Sequence, residues 1–176
     1  MNARHSGLTV EDRLDIEELF AKYSWGIDLA DAEMALSCFT EDAFFDHLWQ
    51  GRVQGHAAIL NNLKELWYDR QHWWYGRQHL FNHFLMSRLD DQGEEAARVR
   101  SFFQIVQFNV EYRTNFLFGI GTRDDVCVKR GGVWLFKQLR VNAWSTREAV
   151  PWQGELKLVP GPGQAPRPQP AARAAE

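Results

Sequence analysis

The sequence predicts a segregated α+β fold, in which helices dominate the first half of the chain and strands the second. Apolar residues recur at helical spacing from Leu8 to about residue 67, and alternating patterns follow from about residue 75. Near the end, Gly131-Gly132 separates two alternating runs and is typical of a tight hairpin turn. Because helices precede strands and do not alternate with them, we expect a meander of strands packed against the helices.

Three helices are predicted. Thr9 is a suitable N-cap for the first, with Asp12 three residues later. Asp31 is a suitable cap for a short second helix that holds Ala35, Leu36 and Phe39 and stops at residues 40–42. The apolar stripe of the first helix consists of Ile16, Leu19, Phe20, Tyr23 and Ile27, and that of the third consists of Ile59, Leu60, Leu63, Leu66 and Trp67.

Five strands are predicted, the first over residues 43–48 and followed by a turn marked by Gly51 and Gly55. Gly119 and Gly121 indicate a bend or bulge within the fourth strand. Residues 90–95 are predicted to form a polar turn. The later strands are expected over residues 75–86, 99–110, 114–129 and 133–143.

The length, composition and net charge of the chain fit one small domain that binds a small molecule. At 176 residues the chain needs a single core, predicted over residues 8–159, with a loose arm at 1–7 and a disordered Pro- and Ala-rich tail at 160–176. A net charge of -3 and a pI near 6.1 argue against nucleic acid and anionic membranes as partners. Eight tryptophans and twelve phenylalanines suit either a dense core or a pocket for a flat hydrophobic ligand.

Further features of the sequence predict the location and assembly of the protein. Cys38 and Cys127 lie in unrelated contexts, and no charged and apolar leader opens the sequence, so we expect a reduced, cytoplasmic protein. No apolar run approaches the roughly 20 residues that a membrane span requires. Apolar strands exposed in such a fold usually find a partner subunit, which predicts a homo-oligomer, either a dimer or a trimer.

The strand over residues 75–86 contains the principal candidate for catalysis. Alternation places His79, Phe81, His83 and Leu85 on one face and Gln78, Leu80, Asn82, Phe84 and Met86 on the other. Both faces are largely apolar, which predicts that both are covered and that His79 is enclosed. An enclosed imidazole needs a partner, and the carboxylate we expect is Asp28, at the end of the first helix. In isolation His79 could equally bond a backbone carbonyl, and Asp28 could simply cap its helix.

An imidazole beside a carboxylate can move a proton at neutral pH, because the carboxylate fixes the ring tautomer and stabilises the imidazolium. With no adjacent Ser or Cys nucleophile, elimination, isomerisation or cyclisation fits such a pair better than acyl transfer. Further candidates for substrate binding are Tyr23, Phe45, His47, Trp49 and Gln104. The six histidines show no pair at helical metal spacing with a carboxylate, and no Gly-rich loop opens a helix, so neither a metal nor another cofactor is predicted.

Several short stretches together resemble a known family. They are YSWGID at 23–28, ALSCFTEDAFFD at 35–46, GRVQG at 51–55, Gln78-His79, and GGVW at 131–134. Over about residues 8–145 the chain resembles the SnoaL-like branch of the nuclear transport factor 2 superfamily, and within it the scytalone dehydratase and bile-acid dehydratase type. Hexachlorocyclohexane dehydrochlorinase is similar in its Asp and His pair. The resemblance implies a cone, in which a curved mixed sheet wraps around three helices and encloses the ligand.

The resemblance also implies roles for individual residues. Asp28 and His79 would form the catalytic dyad, and Tyr23 would orient the substrate with its phenol. The chain has His47 where the dehydratases place a second tyrosine, and Gln104 or a neighbour where scytalone dehydratase has a second histidine. Both departures argue against scytalone itself as the substrate.

The expected function is therefore that of a cofactor-independent lyase or isomerase, with dehydration the favoured reaction. The expected substrate is a hydrophobic cyclic or aromatic hydroxy-carbonyl compound. One alternative is the non-catalytic small subunit of a ring-hydroxylating dioxygenase, which residues 119–134 also resemble. Another is a family member that binds a ligand without turnover.

Overall fold

A computed structural model describes residues 7–47, 51–68, 74–91 and 93–144. Within these ranges, three helices lie in the N-terminal half and six strands form one sheet. The helices are α1 (Val10–Asp28), α2 (Ala32–Leu36) and α3 (His56–Tyr68). The strands are β1 (Phe39–His47), β2 (Gly51–Gln54), β3 (Trp74–Asp91), β4 (Glu94–Asn109), β5 (Thr114–Arg130) and β6 (Val133–Ala143).

The strands form a curved, open sheet in the order β2-β1-β6-β5-β4-β3. Strands β3 to β6 form the predicted antiparallel meander, and the parallel pairing of β1 with β6 makes the sheet mixed. Helix α1 packs on β3 and β6, and α3 packs on β1, so the helices cover one face of the sheet. The predicted α+β class with three helices is confirmed.

The start of α1 is fixed by the predicted capping box. The Thr9 hydroxyl accepts a hydrogen bond from the Asp12 backbone N–H at 3.0 Å, and the Asp12 carboxylate accepts from the Thr9 N–H at 3.2 Å. Asp12 is buried and also accepts from Lys129 at 2.8 Å and from the Trp134 indole at 3.1 Å. These bonds lower the pKa of Asp12 and tie the first turn of α1 to the hairpin of β5 and β6.

The other end of α1 is shaped by a close approach of α2. A Cβ on Gly26 would lie 2.7 Å from the backbone nitrogen of Ala35, so only glycine lets the two helices approach this closely. Asp31 caps α2 as predicted, accepting from the Met34 N–H at 2.9 Å. The expectation that Phe39 belongs to this helix was wrong, because Phe39 begins β1, where it is opposite Phe136 of β6.

Two other details at β1 and β2 correct the sequence analysis. Residues 40–42, predicted to stop the second helix, lie within β1. The predicted turn after β1 contains the short strand β2, which pairs antiparallel with β1. Gly51 and Gly55, with φ of 75° and 81°, bound this strand in a conformation that favours glycine.

A bulge in β3 changes which residues face the helices. The pairing register shifts between Asn82 and Leu85, and His83 has a positive φ of 54°. Phe81 faces inward before the bulge and Phe84 after it, with Phe84 packed 5.0 Å from the ring of Phe20. The predicted alternation therefore fails beyond Phe81. The predicted covering of both faces is also wrong, because Leu85 is 62% exposed.

A second bulge lies in β5, as the glycines at 119 and 121 indicated. The register shifts between the pair Ile105 with Gly119 and the pair Val106 with Leu117, so Phe118 is the extra residue of β5 at this point. The hairpin at Gly131-Gly132 is confirmed, with both residues at positive φ. The predicted polar turn at 90–95 is shorter than expected, because β3 continues to Asp91 and β4 begins at Glu94.

The predicted N-terminal arm and C-terminal tail lie almost wholly outside the residues that the structure describes. Only Gly7 of the predicted arm belongs to the described residues, and the predicted tail at 160–176 lies wholly beyond them. Within the ranges given above, no helix is long and apolar enough to cross a membrane.

Candidate active site

A cavity lies between the helices and the face of the sheet that they cover. The cavity has a volume of about 80 Å³. The apolar part of its wall includes Ile27, Phe45, Leu63, Phe103, Ile105 and Phe118. The polar groups in the wall are Tyr23, His47, Arg77, His79 and Arg123.

Asp28 and His79 form a hydrogen-bonded pair beside this cavity. Nδ1 of His79 lies 2.6 Å from Oδ1 of Asp28, and the backbone N–H of His79 donates to Oδ2 at 2.7 Å. One carboxylate therefore holds both the ring and the main chain of the same residue. The side chains of His79 and Asp28 are 18% and 13% exposed, so the pair is largely shielded while the ring still reaches the cavity.

The location of Asp28 is unfavourable for the helix alone. Asp28 is the last residue of α1, and a carboxylate at a helix C-terminus faces the negative end of the helix dipole. The preceding turn is held by Trp67 of α3, whose indole N–H donates to the Ile27 carbonyl at 2.8 Å. The two hydrogen bonds from His79 compensate for the unfavourable position, so the helix-cap interpretation of Asp28 is not what the geometry shows.

The protonation state of His79 suits a base. Burial lowers the pKa of His79 below its ordinary value, although Asp28 opposes the shift by favouring the protonated ring. At neutral pH the ring is therefore uncharged. Because an ionised carboxylate can only accept, Nδ1 carries the proton and Nε2 keeps the lone pair that can take a proton from a ligand.

His47 and Tyr23 are both in the cavity wall. His47, at the end of β1, has its pKa lowered to about 4 by burial and by the nearby His79, so it is neutral at pH 7. Tyr23 is buried, and burial raises the pKa of its phenol above the ordinary value, so it remains a hydrogen-bond donor. Phe45 also lines the cavity, with 1% of its surface exposed.

Two predicted binding residues are not in the cavity wall. Gln104 is exposed on the opposite face of the sheet, where it lies between Leu80 and Ile120 on the neighbouring strands. The prediction for Gln104 was wrong because β4 alternates regularly here and presents Phe103 and Ile105 to the cavity. Trp49 lies outside the described residues.

Two arginines in the wall were missed by the sequence analysis. Arg77 lies two residues before His79 on β3, and Gln107 of β4 accepts from its Nη2 and Nε at 2.7 and 2.9 Å when the amide oxygen faces the guanidinium. Arg123 lies on β5 with 1% of its side chain exposed. The available signal for Arg123 was its position in the alternation of β5. It shares a face of the strand with Gly121, Asp125 and Cys127, all of which are buried.

Fold and site together define a class. A curved mixed sheet and three helices enclose a cavity, and His79 in its wall is paired with the carboxylate of Asp28. The chain belongs to the family described as the SnoaL-like domain, whose model matches residues 8–140, within the nuclear transport factor 2-like superfamily. This family includes polyketide cyclases and dehydratases.

Solved structures show the same fold at low sequence identity. A Nostoc punctiforme protein of unknown function with a cystatin-like fold is 21% identical, with a TM-score of 0.65 over 77% of this chain and 93% of that chain. ActVI-ORFA from Streptomyces coelicolor is 17% identical, with a TM-score of 0.67 over 76% and 98%. A candidate scytalone dehydratase from Novosphingobium aromaticivorans is 23% identical, with a TM-score of 0.61 over 76% and 85%. No curated protein matches the chain.

Proposed function

We propose that this protein is a cofactor-independent lyase or isomerase, with dehydration the favoured reaction, that acts on a hydrophobic cyclic or aromatic hydroxy-carbonyl compound. The observation that carries the proposal is the 2.6 Å contact between Asp28 and His79, with the uncharged His79 ring in the wall of an aromatic cavity. An apolar wall suits a hydrophobic ring, and an unprotonated imidazole suits proton abstraction at neutral pH.

In the proposed reaction, Nε2 of His79 takes the proton from the carbon next to the substrate carbonyl. The electrons of the C–H bond form an enolate, and Asp28 stabilises the imidazolium through Nδ1. In a dehydration the enolate re-forms the carbonyl as the C–O bond to the hydroxyl breaks. The imidazolium returns the proton to the departing oxygen, so the products are an unsaturated carbonyl compound and water.

Tyr23 and His47 supply the remaining polar contacts in this proposal. The protonated phenol of Tyr23 would donate to a substrate oxygen, and the neutral His47 ring would contact a second one from another part of the wall. Both lie deep enough that a hydrogen bond to the ligand is not weakened by competing water. The apolar side chains, Phe45 among them, would hold the ring of the substrate against the dyad.

The proposal can be tested without knowing the natural substrate, because its first step exchanges a C–H proton with solvent. Cyclic β-hydroxy ketones are incubated with the protein in D₂O, and deuterium at the carbon next to the carbonyl is measured by NMR. Wild-type protein is expected to accelerate exchange, and His79→Ala to lower the rate on the order of 10²–10⁴-fold, the usual contribution of a general base.

His83→Asn is the matched control. His83 lies four residues further along β3, is exposed, and has a positive φ that asparagine tolerates well. Its rate should equal that of the wild type. Equal exchange by His79→Ala and wild type would refute the proposed base.

The same experiment separates the alternatives. A binding-only protein would bind the ketones, with an affinity that changes in His79→Ala, but would not accelerate exchange. The small subunit of a ring-hydroxylating dioxygenase would also be inactive alone, and it would co-purify with a large iron-containing partner from its native cells.

A further inference from the structure

The cavity wall contains a charged residue that the proposed proton transfer does not use. Arg123 lines the same cavity as His79, and its side chain is 1% exposed. A guanidinium keeps its charge at any ordinary pH, so a full positive charge lies inside the core. Burying such a charge costs several kcal/mol unless it is paired, so what surrounds Arg123 is informative.

Four aromatic rings surround the guanidinium. Its central carbon lies 4.7 Å from the ring centroid of Phe20, 5.2 Å from Tyr23, 4.6 Å from Phe81 and 5.0 Å from Phe136. Aromatic faces attract a cation, and the effect is stronger where water is excluded. The rings stabilise the charge, but they accept no directed hydrogen bonds from the N–H groups at the edge of the guanidinium.

The protein satisfies those N–H groups only in part. Nη2 lies 2.9 Å from Oδ2 of Asp125, which forms an ion pair. Among the residues that the structure describes, the other two guanidinium nitrogens, Nε and Nη1, have no hydrogen-bond partner. Asp125 also serves the main chain, since its Oδ1 accepts from the backbone N–H of Arg140 at 2.9 Å. Buried donors without acceptors are rare and costly, which indicates a missing acceptor.

The charge of the wall indicates what that acceptor is. Of the described residues that line the cavity, the permanently charged ones are Arg77 and Arg123, and none is a carboxylate. Asp28 lies behind His79, and Asp125 lies behind Arg123. A ligand in the cavity therefore meets the N–H groups of two guanidinium groups and the hydroxyl of a phenol as hydrogen-bond donors.

We propose that Arg123 binds an anionic oxygen of the ligand, a carboxylate or an ionised phenol, which fills its unsatisfied donors. If the proposed function holds, the substrate of this chain is then a hydrophobic organic acid that carries the reacting carbonyl elsewhere on its ring. A guanidinium presents paired N–H groups that match a carboxylate, and such charge-assisted hydrogen bonds are about twice as strong as neutral ones.

Matched probes test this without turnover. Dissociation constants are measured by calorimetry at pH 8 for benzoate against benzamide, and for 4-nitrophenolate against nitrobenzene. Wild-type protein is expected to bind at least one anion about 10-fold more tightly than its neutral match, which corresponds to about 1.4 kcal/mol. The pair that shows the preference distinguishes a carboxylate ligand from a phenolate ligand.

The decisive variant is Arg123→Met with Asp125→Asn. It removes both charges, keeps an acceptor for the Arg140 N–H, and avoids leaving one charge buried alone, which would be strongly destabilising. The anion preference should fall to about 1-fold. Arg98→Gln is the control, since Arg98 is 49% exposed and paired with Asp124 away from the cavity wall. Should the double variant not fold, Arg123→Lys is used, which loses the planar fork and should reduce the preference several-fold.

The proposal is overturned if neither anion is preferred by the wild type, or if the preference persists in the double variant or is unchanged in Arg123→Lys. The result is separate from the proposed proton transfer. A protein that exchanges protons through His79 but ignores charge refutes only the role of Arg123. A protein that prefers anions but shows no exchange refutes only the role of His79.

Discussion

Replacing Asp28 with asparagine is the most informative single change, because asparagine has nearly the same shape but only one accepting atom. In the native protein Oδ1 accepts from the Nδ1–H of His79 and Oδ2 from its backbone N–H. If the amide oxygen of the Asp28→Asn variant takes the backbone N–H, the amide donor faces Nδ1 and forces the proton to Nε2, which can then no longer act as a base. If the amide oxygen faces Nδ1 instead, the amide NH₂ of the asparagine faces the backbone N–H of His79, and these two donors repel each other.

The expected loss follows from these two cases. A hydrogen bond to a charged group contributes about 1.5–3 kcal/mol, which corresponds to a rate loss of roughly 10- to 150-fold if it is needed in the transition state. Forcing the wrong tautomer adds to this, so the deuterium exchange rate should fall on the order of 10²–10⁴-fold. The fold should persist, since an asparagine still satisfies one of the two bonds.

The pH profile distinguishes a catalytic from a purely structural role. Asp28 raises the pKa of His79 against the larger lowering by burial, so Asp28→Asn should lower that pKa further. The limb of the exchange rate that falls in acid should then move to lower pH. Asp31→Asn is the matched control, because Asp31 is an exposed N-cap three residues away and asparagine caps equally well. An unchanged rate and pH profile in Asp28→Asn would refute the dyad.

Two further predictions concern pH stability and assembly. The pKa of His47 is about 4 in the folded chain against an ordinary 6.5, so its stabilising contribution is complete above pH 6.5 and is lost as pH falls toward 4. His47→Phe should therefore gain stability relative to wild type over this range, by about 1–3 kcal/mol in urea unfolding, and a pH-independent difference would contradict this. The outer face of the sheet exposes Phe102, Leu80, Leu117 and Ile120, which favours self-association through this face. Phe102→Glu should then lower the mass measured by sedimentation, whereas Val133→Glu, at the hairpin, should not; a monomeric wild type would refute the assembly.

Much of the fold could be predicted because local signals agreed with the final structure. The Thr9 and Asp12 capping box, the Asp31 cap and the Gly131-Gly132 turn each depend on a few neighbouring residues, and all are present. Where pairing overrides local pattern, the prediction failed. Phe39 fits a helical stripe, but its parallel pairing with β6 places it in a strand, and no short-range signal encodes that contact.

The residues of the candidate site also divide into those that a local signal predicted and those that depend on long-range packing. His79 stands out as a polar residue in a strand with largely apolar faces, and the family resemblance joins it to Asp28 across 51 residues. Gln104 stands out equally, yet its phase on β4 places it on the exposed face. Arg123 escaped notice because charged residues surround it in the sequence. Its phase on β5 was the one signal in the sequence, and the packing of aromatic side chains around its guanidinium shows that it lies in the core.

The bulge at residues 83 and 84 divides β3 into two parts that can change independently in evolution. Before the bulge the strand contributes Arg77, His79 and Phe81 to the cavity, and after it Phe84 and Met86 belong to the hydrophobic core. The first half of the strand thus lines the cavity, and the second half packs in the core. If the proposed function holds, substitutions at positions 77 and 79 can change which ligand the wall accepts while Phe84 and Met86 keep the core packed, so the wall can vary at little cost to the fold.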